Sequence, residues 1–104
     1  MSAILRTLGL CRKAGALVCG APMICSALPS GTVRMVFEAC DTSDGTHKKI
    51  TDKCTFYRVR YERLNVGGEE LASAVGKSGF LAAVAITDEN LARLSEKSLN
   101  EDKS

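Results

Sequence analysis

The run Phe80-Leu81-Ala82-Ala83-Val84-Ala85-Ile86 is the most apolar stretch of the chain and limits the fold most. It is far shorter than the roughly 20 residues needed to span a bilayer, so it reads as a central strand of a sheet. Three more short apolar runs follow the same logic, over residues 16–19, 32–39 and 59–64. Between the runs the apolar spacing becomes helical. Ile4, Leu5, Leu8 and Cys11 make one face of a first helix, with Ser2 as N-cap and Gly15 as its stop. Ile24, Ala27 and Leu28 make the face of a second, opened by Gly20 and Pro22 and closed by Pro29 and Gly31. Ser43 caps a third helix, in which Ile50, Cys54 and Tyr57 recur at i, i+4 and i+7. Gly67-Gly68 introduces a fourth, with Glu69 and Glu70 in the first turn, Leu71, Ala74 and Val75 inside, and Gly76 as its end. Thr87-Asp88 caps a fifth, with Leu91 and Leu94 expected inside. Strand and helix alternate throughout. The expected class is α/β, a three-layer α/β/α sandwich with a mixed four-stranded sheet and helices on both faces. Residues 1–96 are expected to form one domain, and residues 97–104 a disordered, charged tail.

Composition narrows the function. A chain of 104 residues holds one modest core, and 45% hydrophobic with 25% charged residues is a globular balance. The first residues lack the layout of a secretory signal, so a cytoplasmic protein is expected, without a membrane partner. Fourteen Lys+Arg against twelve Asp+Glu leave a net charge of only +2, which permits a nucleic-acid partner without demanding one. Five cysteines, an odd number with no Cys-x-x-Cys pair, read as reduced thiols. With His47 as the one histidine, no metal site, cofactor site or catalytic constellation is expected, and no orienting carboxylate for His47 stands out in the sequence. Cys19 and Cys25 flank the turn at Gly20, where a helix N-terminus lowers a thiol pKa.

The turn that follows the first strand is the chain's main candidate site. A strand that runs into Gly20 and then into a helix aims several backbone N–H groups at one point, which suits an anion such as phosphate. An ordinary strand-to-helix turn has the same sequence signature.

The order of motifs resembles a known family. Leu8-Gly9-Leu10-Cys11-Arg12-Lys13-Ala14-Gly15 with Val18-Cys19-Gly20 is similar to the opening of the ribosomal protein L-seven-Ae/L-thirty-e family, and to its bacterial members in particular. Ala39-Cys40-Asp41-Thr42-Ser43 with Lys48-Lys49-Ile50-Thr51-Asp52-Lys53-Cys54 resembles its middle signature. Glu70-Leu71-Ala72-Ser73-Ala74-Val75-Gly76-Lys77 and Ala83-Val84-Ala85-Ile86-Thr87-Asp88 resemble its close. The resemblance implies an α/β/α sandwich that binds RNA, typically at kink-turns, as a ribosomal or ribosome-associated protein; the expected partner is structured RNA, ribosomal RNA included, and the protein is expected to be a monomer without a cofactor. It implies two grips. One starts at the glycine that opens the second helix, here Gly20, and the other is the loop Gly76, Lys77, Ser78, Gly79 and Phe80. The family's polar positions after the glycine fall on Ala21, Pro22 and Met23, and its lysine one turn on falls on Ser26, so these side chains depart from the pattern.

The candidate RNA-binding residues are therefore Gly20, Ala21, Ser26, Gly76, Lys77, Ser78, Gly79 and Phe80. Lys77 reads either as a phosphate partner or as a solvated loop lysine, and Phe80 either as a wall for a splayed base or as the first core residue of its strand. Arg12 and Lys13 border the same surface or simply follow the charge preference of a helix end. Lys48, Lys49 and Lys53 read as the solvated face of the third helix. A protein-interaction module on the same fold, with Ala21, Pro22 and Met23 as its contact surface, is the alternative function.

Overall fold

The computed structural model describes residues 2–103. Five helices are α1 (Ala3–Lys13), α2 (Ala21–Ala27), α3 (Asp44–Phe56), α4 (Gly68–Ala74) and α5 (Glu89–Lys103). Four strands are β1 (Leu17–Cys19), β2 (Met35–Glu38), β3 (Arg60–Arg63) and β4 (Ala83–Ile86), and a 3-10 turn over Leu28–Ser30 follows α2. The sheet order is β1-β4-β2-β3, with β4 antiparallel to both neighbours and β2 parallel to β3. The expected mixed four-stranded sheet is present, with β2 and β4 in the middle and fully buried.

Helices cover both faces. On one, Ile4, Leu5, Leu8 and Cys11 of α1, Leu71 and Ala72 of α4, and Ala92 and Leu99 of α5 pack on Met35, Phe37, Val84 and Ile86. On the other, Ile24 and Leu28 meet Ile50 and Cys54 of α3 over Val36, Ala83 and Ala85. Successive strand residues point to opposite faces, so β2 and β4 each supply both cores. The caps follow the sequence. Ser2 accepts from the Leu5 N–H at 3.4 Å, Ser43 from Thr46 at 3.4 Å, and Asp88 from Leu91 at 2.9 Å.

Three expectations need correction. The tail expected over residues 97–104 is helix as far as Lys103, because Ser98 and Leu99 are buried and prolong the inner stripe of Ala92 and Ser95; Ser104 lies outside the described residues. Leu94, expected inside, faces out at 42% exposure. The apolar run of residues 80–86 is strand only from Ala83, since Phe80 is drawn onto Gly68. The α1–α5 seam is narrow and bridged by hydroxyls: Thr7 and Ser98 lie 2.7 Å apart. At its end, the Asp102 carboxylate accepts from the Ala3 and Ile4 N–H groups at 2.9 and 3.0 Å. These bonds hold that carboxyl below its ordinary pKa.

Candidate nucleic-acid interface

Cys19 pairs with Val84 at the last position of β1, and the Gly20 N–H donates to the Ala83 carbonyl at 2.9 Å. The turn out of β1 is therefore tied to the first residue of β4. Gly20 has φ +94° and ψ 142°, a region other residues avoid. A Cβ there would meet only Leu81 Cδ1 and Pro22 Cδ, each at 4.0 Å, so the backbone rather than space demands glycine. Its carbonyl accepts from Ile24 at 3.0 Å and starts α2, with Pro22 in the first turn where no N–H is needed. Ala21 is buried. Pro22, Met23 and Ser26 are exposed, Met23 at 62%.

The second loop ends at Leu81, whose side chain lies near the Gly20 turn. α4 ends in a double closure, with Gly76 N–H on the Ser73 carbonyl at 3.1 Å and Lys77 N–H on the Ala72 carbonyl at 2.9 Å. Gly76 takes the left-handed φ of +78° that such an end requires. Arg12 donates from Nη1 to the Val75 carbonyl at 2.8 Å, so this arginine anchors the loop's root. Lys77, Ser78 and Gly79 are exposed, and Gly79 again has positive φ. Phe80 is 54% exposed, with its other side on Gly68: a Cβ on Gly68 would sit 2.3 Å from Phe80 Cε2. The Leu81 N–H donates to the Gly68 carbonyl at 3.0 Å, and the Gly68 N–H to Asp41 Oδ1 at 2.9 Å. The loop thus returns to the start of its own helix, and Phe80 stands as a wall on the surface.

The structure brings Gly20, Ala21 and the loop of residues 76–81 to one end of the sheet. Ser26 is exposed on α2 and takes no part in that junction. Lys49 is exposed and Lys53 half-buried, and both also lie beside α2, lining a groove of about 340 Å³ with Ala21, Pro22, Cys25 and Thr46. Lys48 is spent on Asp52 at 2.8 Å, while Lys49 and Lys53 form no ion pair with any described residue. Like charges four residues apart on a helix cost a few tenths of a kcal/mol. Their i, i+4 spacing was the available signal; that α2 packs beside α3 was not.

A buried carboxyl group stands at the same end. Glu38, last in β2 and paired with Ala83, is fully buried and accepts from His47 Nδ1–H at 2.9 Å and from the Tyr61 hydroxyl. Burial, that hydrogen bond and the Glu38 charge together raise the Tyr61 phenol far above its ordinary pKa. The lone His47 therefore has an orienting carboxylate that the sequence did not reveal. All five cysteines are free, and burial pushes the Cys54 thiol up to about 11, which leaves it unreactive at neutral pH. Among the described residues no His, Cys, Asp and Glu cluster suits a metal ion, and no helix is long and apolar enough to cross a membrane.

Sheet order, glycine turn and facing loop define an α/β/α sandwich that offers a surface built from two loops at one end of its sheet. Within that class, the chain belongs to the Ribosomal protein L7Ae/L30e/S12e/Gadd45 family, whose model matches residues 2–95. It is similar to the RNA-binding protein YlxQ of Bacillus subtilis (strain 168), 32% identical over 85 residues, covering 82% of this chain and 83% of that one. The RNA-binding protein YlxQ of Enterococcus faecium is 31% identical over 70 residues, 67% of each chain. Among solved structures, a Bacillus halodurans C protein described as of unknown function superposes with a TM-score of 0.88 at 25% identity, covering 96% of this chain and 99% of that one. The Giardia lamblia 15.5kD RNA binding protein shares the fold, with a TM-score of 0.77 at 16% identity over 97% and 85% of the two chains.

Proposed function

We propose that this protein is a non-catalytic, monomeric, cytoplasmic RNA-binding protein that grips structured, kink-turn-like RNA, ribosomal RNA among its targets. The observation that carries the reading is the junction of two loops on one strand end. Gly20 N–H is bonded to the Ala83 carbonyl, and Leu81 Cδ1 lies 4.0 Å from where a Cβ on Gly20 would stand, so the start of α2 and the loop of residues 76–81 lie side by side at one strand end. The names of the YlxQ relatives support an RNA ligand. Lys77 on one side and Lys49 and Lys53 on the other supply positive charge to a bent phosphate backbone, and the exposed face of Phe80 walls off a splayed base. Ala21, Pro22 and Met23 bring no side-chain hydrogen-bonding group to base edges. Recognition then leans on backbone N–H groups, shape and phosphate charge, and binding weakens steeply with salt.

The test is titration of the reduced protein with a labelled kink-turn RNA at two salt concentrations, beside the same RNA with its G·A pairs mutated. Tight binding that the mutant RNA loses supports the reading, and Gly20→Asp or Lys77→Glu should then weaken it at least tenfold. Equal, weak and strongly salt-dependent binding to both RNAs would sink it. That result would favour a protein-interaction module, for which the 62% exposed Met23 is a ready contact.

A further inference from the structure

The other end of the sheet, where Leu17 and Met35 pair with Ile86, holds a second basic surface that the reading above leaves unused. A cleft of about 400 Å³ opens there between the turn after α2 and the α3–β3 connection, and Arg34, Arg58, Arg60, Tyr57, Val59 and Glu89 line it among others. Three arginines face one carboxylate. That carboxylate is already answered: Glu89 takes Arg60 at 3.1 Å and Arg93 at 3.1 Å, and Arg60 also binds Glu96. Arg58 has no side-chain hydrogen bond or ion pair with any described residue, and Arg34 only adds to the positive field around Glu89.

The backbone at Arg58 marks the cleft as well. Arg58 N–H closes on the Thr55 carbonyl at 3.2 Å and Val59 N–H on the Cys54 carbonyl at 2.9 Å, the helix ending that normally uses glycine. Arg58 sits there with φ +57°, and among the described residues it is the one non-glycine with positive φ. The chain thus keeps a free arginine in a left-handed conformation that glycine would fill without strain. Beside it, Phe56 is 77% exposed and packs edge-on against Tyr57, with ring centroids 4.8 Å apart. Free guanidinium groups match phosphate oxygens bidentately, and exposed aromatic faces take bases.

The geometry points to a second nucleic-acid site in this cleft: an RNA strand phosphate held between Arg34 and Arg58, with a neighbouring base on the Phe56–Tyr57 pair. The site does not depend on the kink-turn reading, because none of its residues belongs to the edge at Gly20. With both sites filled, one protein joins two RNA segments, and each raises the effective concentration of the other.

The full chain is titrated with an unstructured RNA oligonucleotide of about eight nucleotides, a length suited to a single-strand site, and separately with adenosine monophosphate, while backbone amide shifts are followed by NMR. The expected result is movement at Arg34, Tyr57 and Arg58, with oligonucleotide affinity lowered about tenfold in R34Q/R58G and severalfold in F56A. Kink-turn binding, where present, is unchanged in the same variants. R58G relieves the left-handed arginine, so its melting temperature rises by a few degrees and misfolding cannot account for the lost affinity. The proposal is overturned if the oligonucleotide shifts cluster at Gly20 and Lys77, if R34Q/R58G binds like the parent, or if nothing binds. Adenosine monophosphate binding as tightly as the oligonucleotide would overturn the strand assignment in favour of a free nucleotide.

Discussion

The two faces of the sheet solve the packing problem with different chemistry. Under α1, α4 and α5 the buried side chains are Ile4, Leu5, Leu8, Phe37, Leu71, Val84 and Ile86, with hydroxyls only in the α1–α5 seam. Under α2 and α3 fewer residues are buried, Ile24, Leu28, Val36, Ile50, Cys54, Ala83 and Ala85 among them, and the layer encloses the carboxyl of Glu38. A dry layer of large side chains supplies most of the burial energy, at about 25 cal/mol per Å² of apolar surface. A smaller layer with a satisfied polar cluster supplies less, but fixes direction: His47 Nδ1 lies 2.9 Å from both Glu38 oxygens, and the Tyr61 hydroxyl donates to one of them. The helices on this second layer, α2 and α3, carry Gly20's turn and the two unpaired lysines. Margin sits on one face, and the interface is set by the other.

The largest expected effect is on the first face. Phe37→Ala should cost about 3–5 kcal/mol in urea unfolding, and a loss near 1 kcal/mol would mean that the dry layer is not where the margin lies. Next comes Glu38→Ala, which strands the His47 and Tyr61 donors and should cost about 1–3 kcal/mol. If Glu38→Leu proves as stable as the parent and binds RNA equally, the polar cluster has no directing role. Gly68→Ala should cost under about 1 kcal/mol, since the half-exposed Phe80 ring can swing off the new methyl. Displacing that wall should nevertheless weaken RNA binding severalfold, and an unchanged affinity would remove Phe80 from the interface.

The smallest effects divide by pH. Asp102, on the α1–α5 seam, has a lowered pKa in the folded state, so its contribution is present above the ordinary carboxyl value of 3.8 and fades as pH falls through the folded value. Tyr61 and Cys54, on the other layer, have raised values. Their contributions are whole below the unfolded pKa, and that of Cys54 is lost as pH rises from 9 towards 11. Cys11 adds to the alkaline loss from the first layer. Melting curves should therefore show D102N less acid-sensitive than the parent and Y61F less alkali-sensitive; the reverse pattern would contradict the direction of these shifts.

What the sequence made legible was local. Ser2, Ser43 and Asp88 cap their helices as their neighbours dictate, and Gly20 breaks β1 where the apolar run ends. What it hid was tertiary. Phe80 looks like strand until Gly68, twelve residues earlier, offers a bare backbone to cover. Glu38 looks like the polar end of a strand until α3 brings His47 over it. The last turns of α5 look like a charged tail because Ser95 and Ser98 stand where an apolar stripe would have leucine. The i, i+4 spacing of Lys49 and Lys53 marks a basic helix face but not the groove they line, since that exists only once α2 lies beside α3.

Asp102 clasps the backbone of Ala3 and Ile4, so the two ends of the described chain meet at one corner. The fold is topologically almost a ring. A short peptide joining residues 3 and 102 would turn the clasp into a covalent bridge, and the chain could then be opened afresh in an exposed loop. Anything grafted before Ala3 and after Asp102, such as a dye and a quencher, would leave from the same corner, making the α1–α5 seam a built-in gauge of whether the molecule is closed.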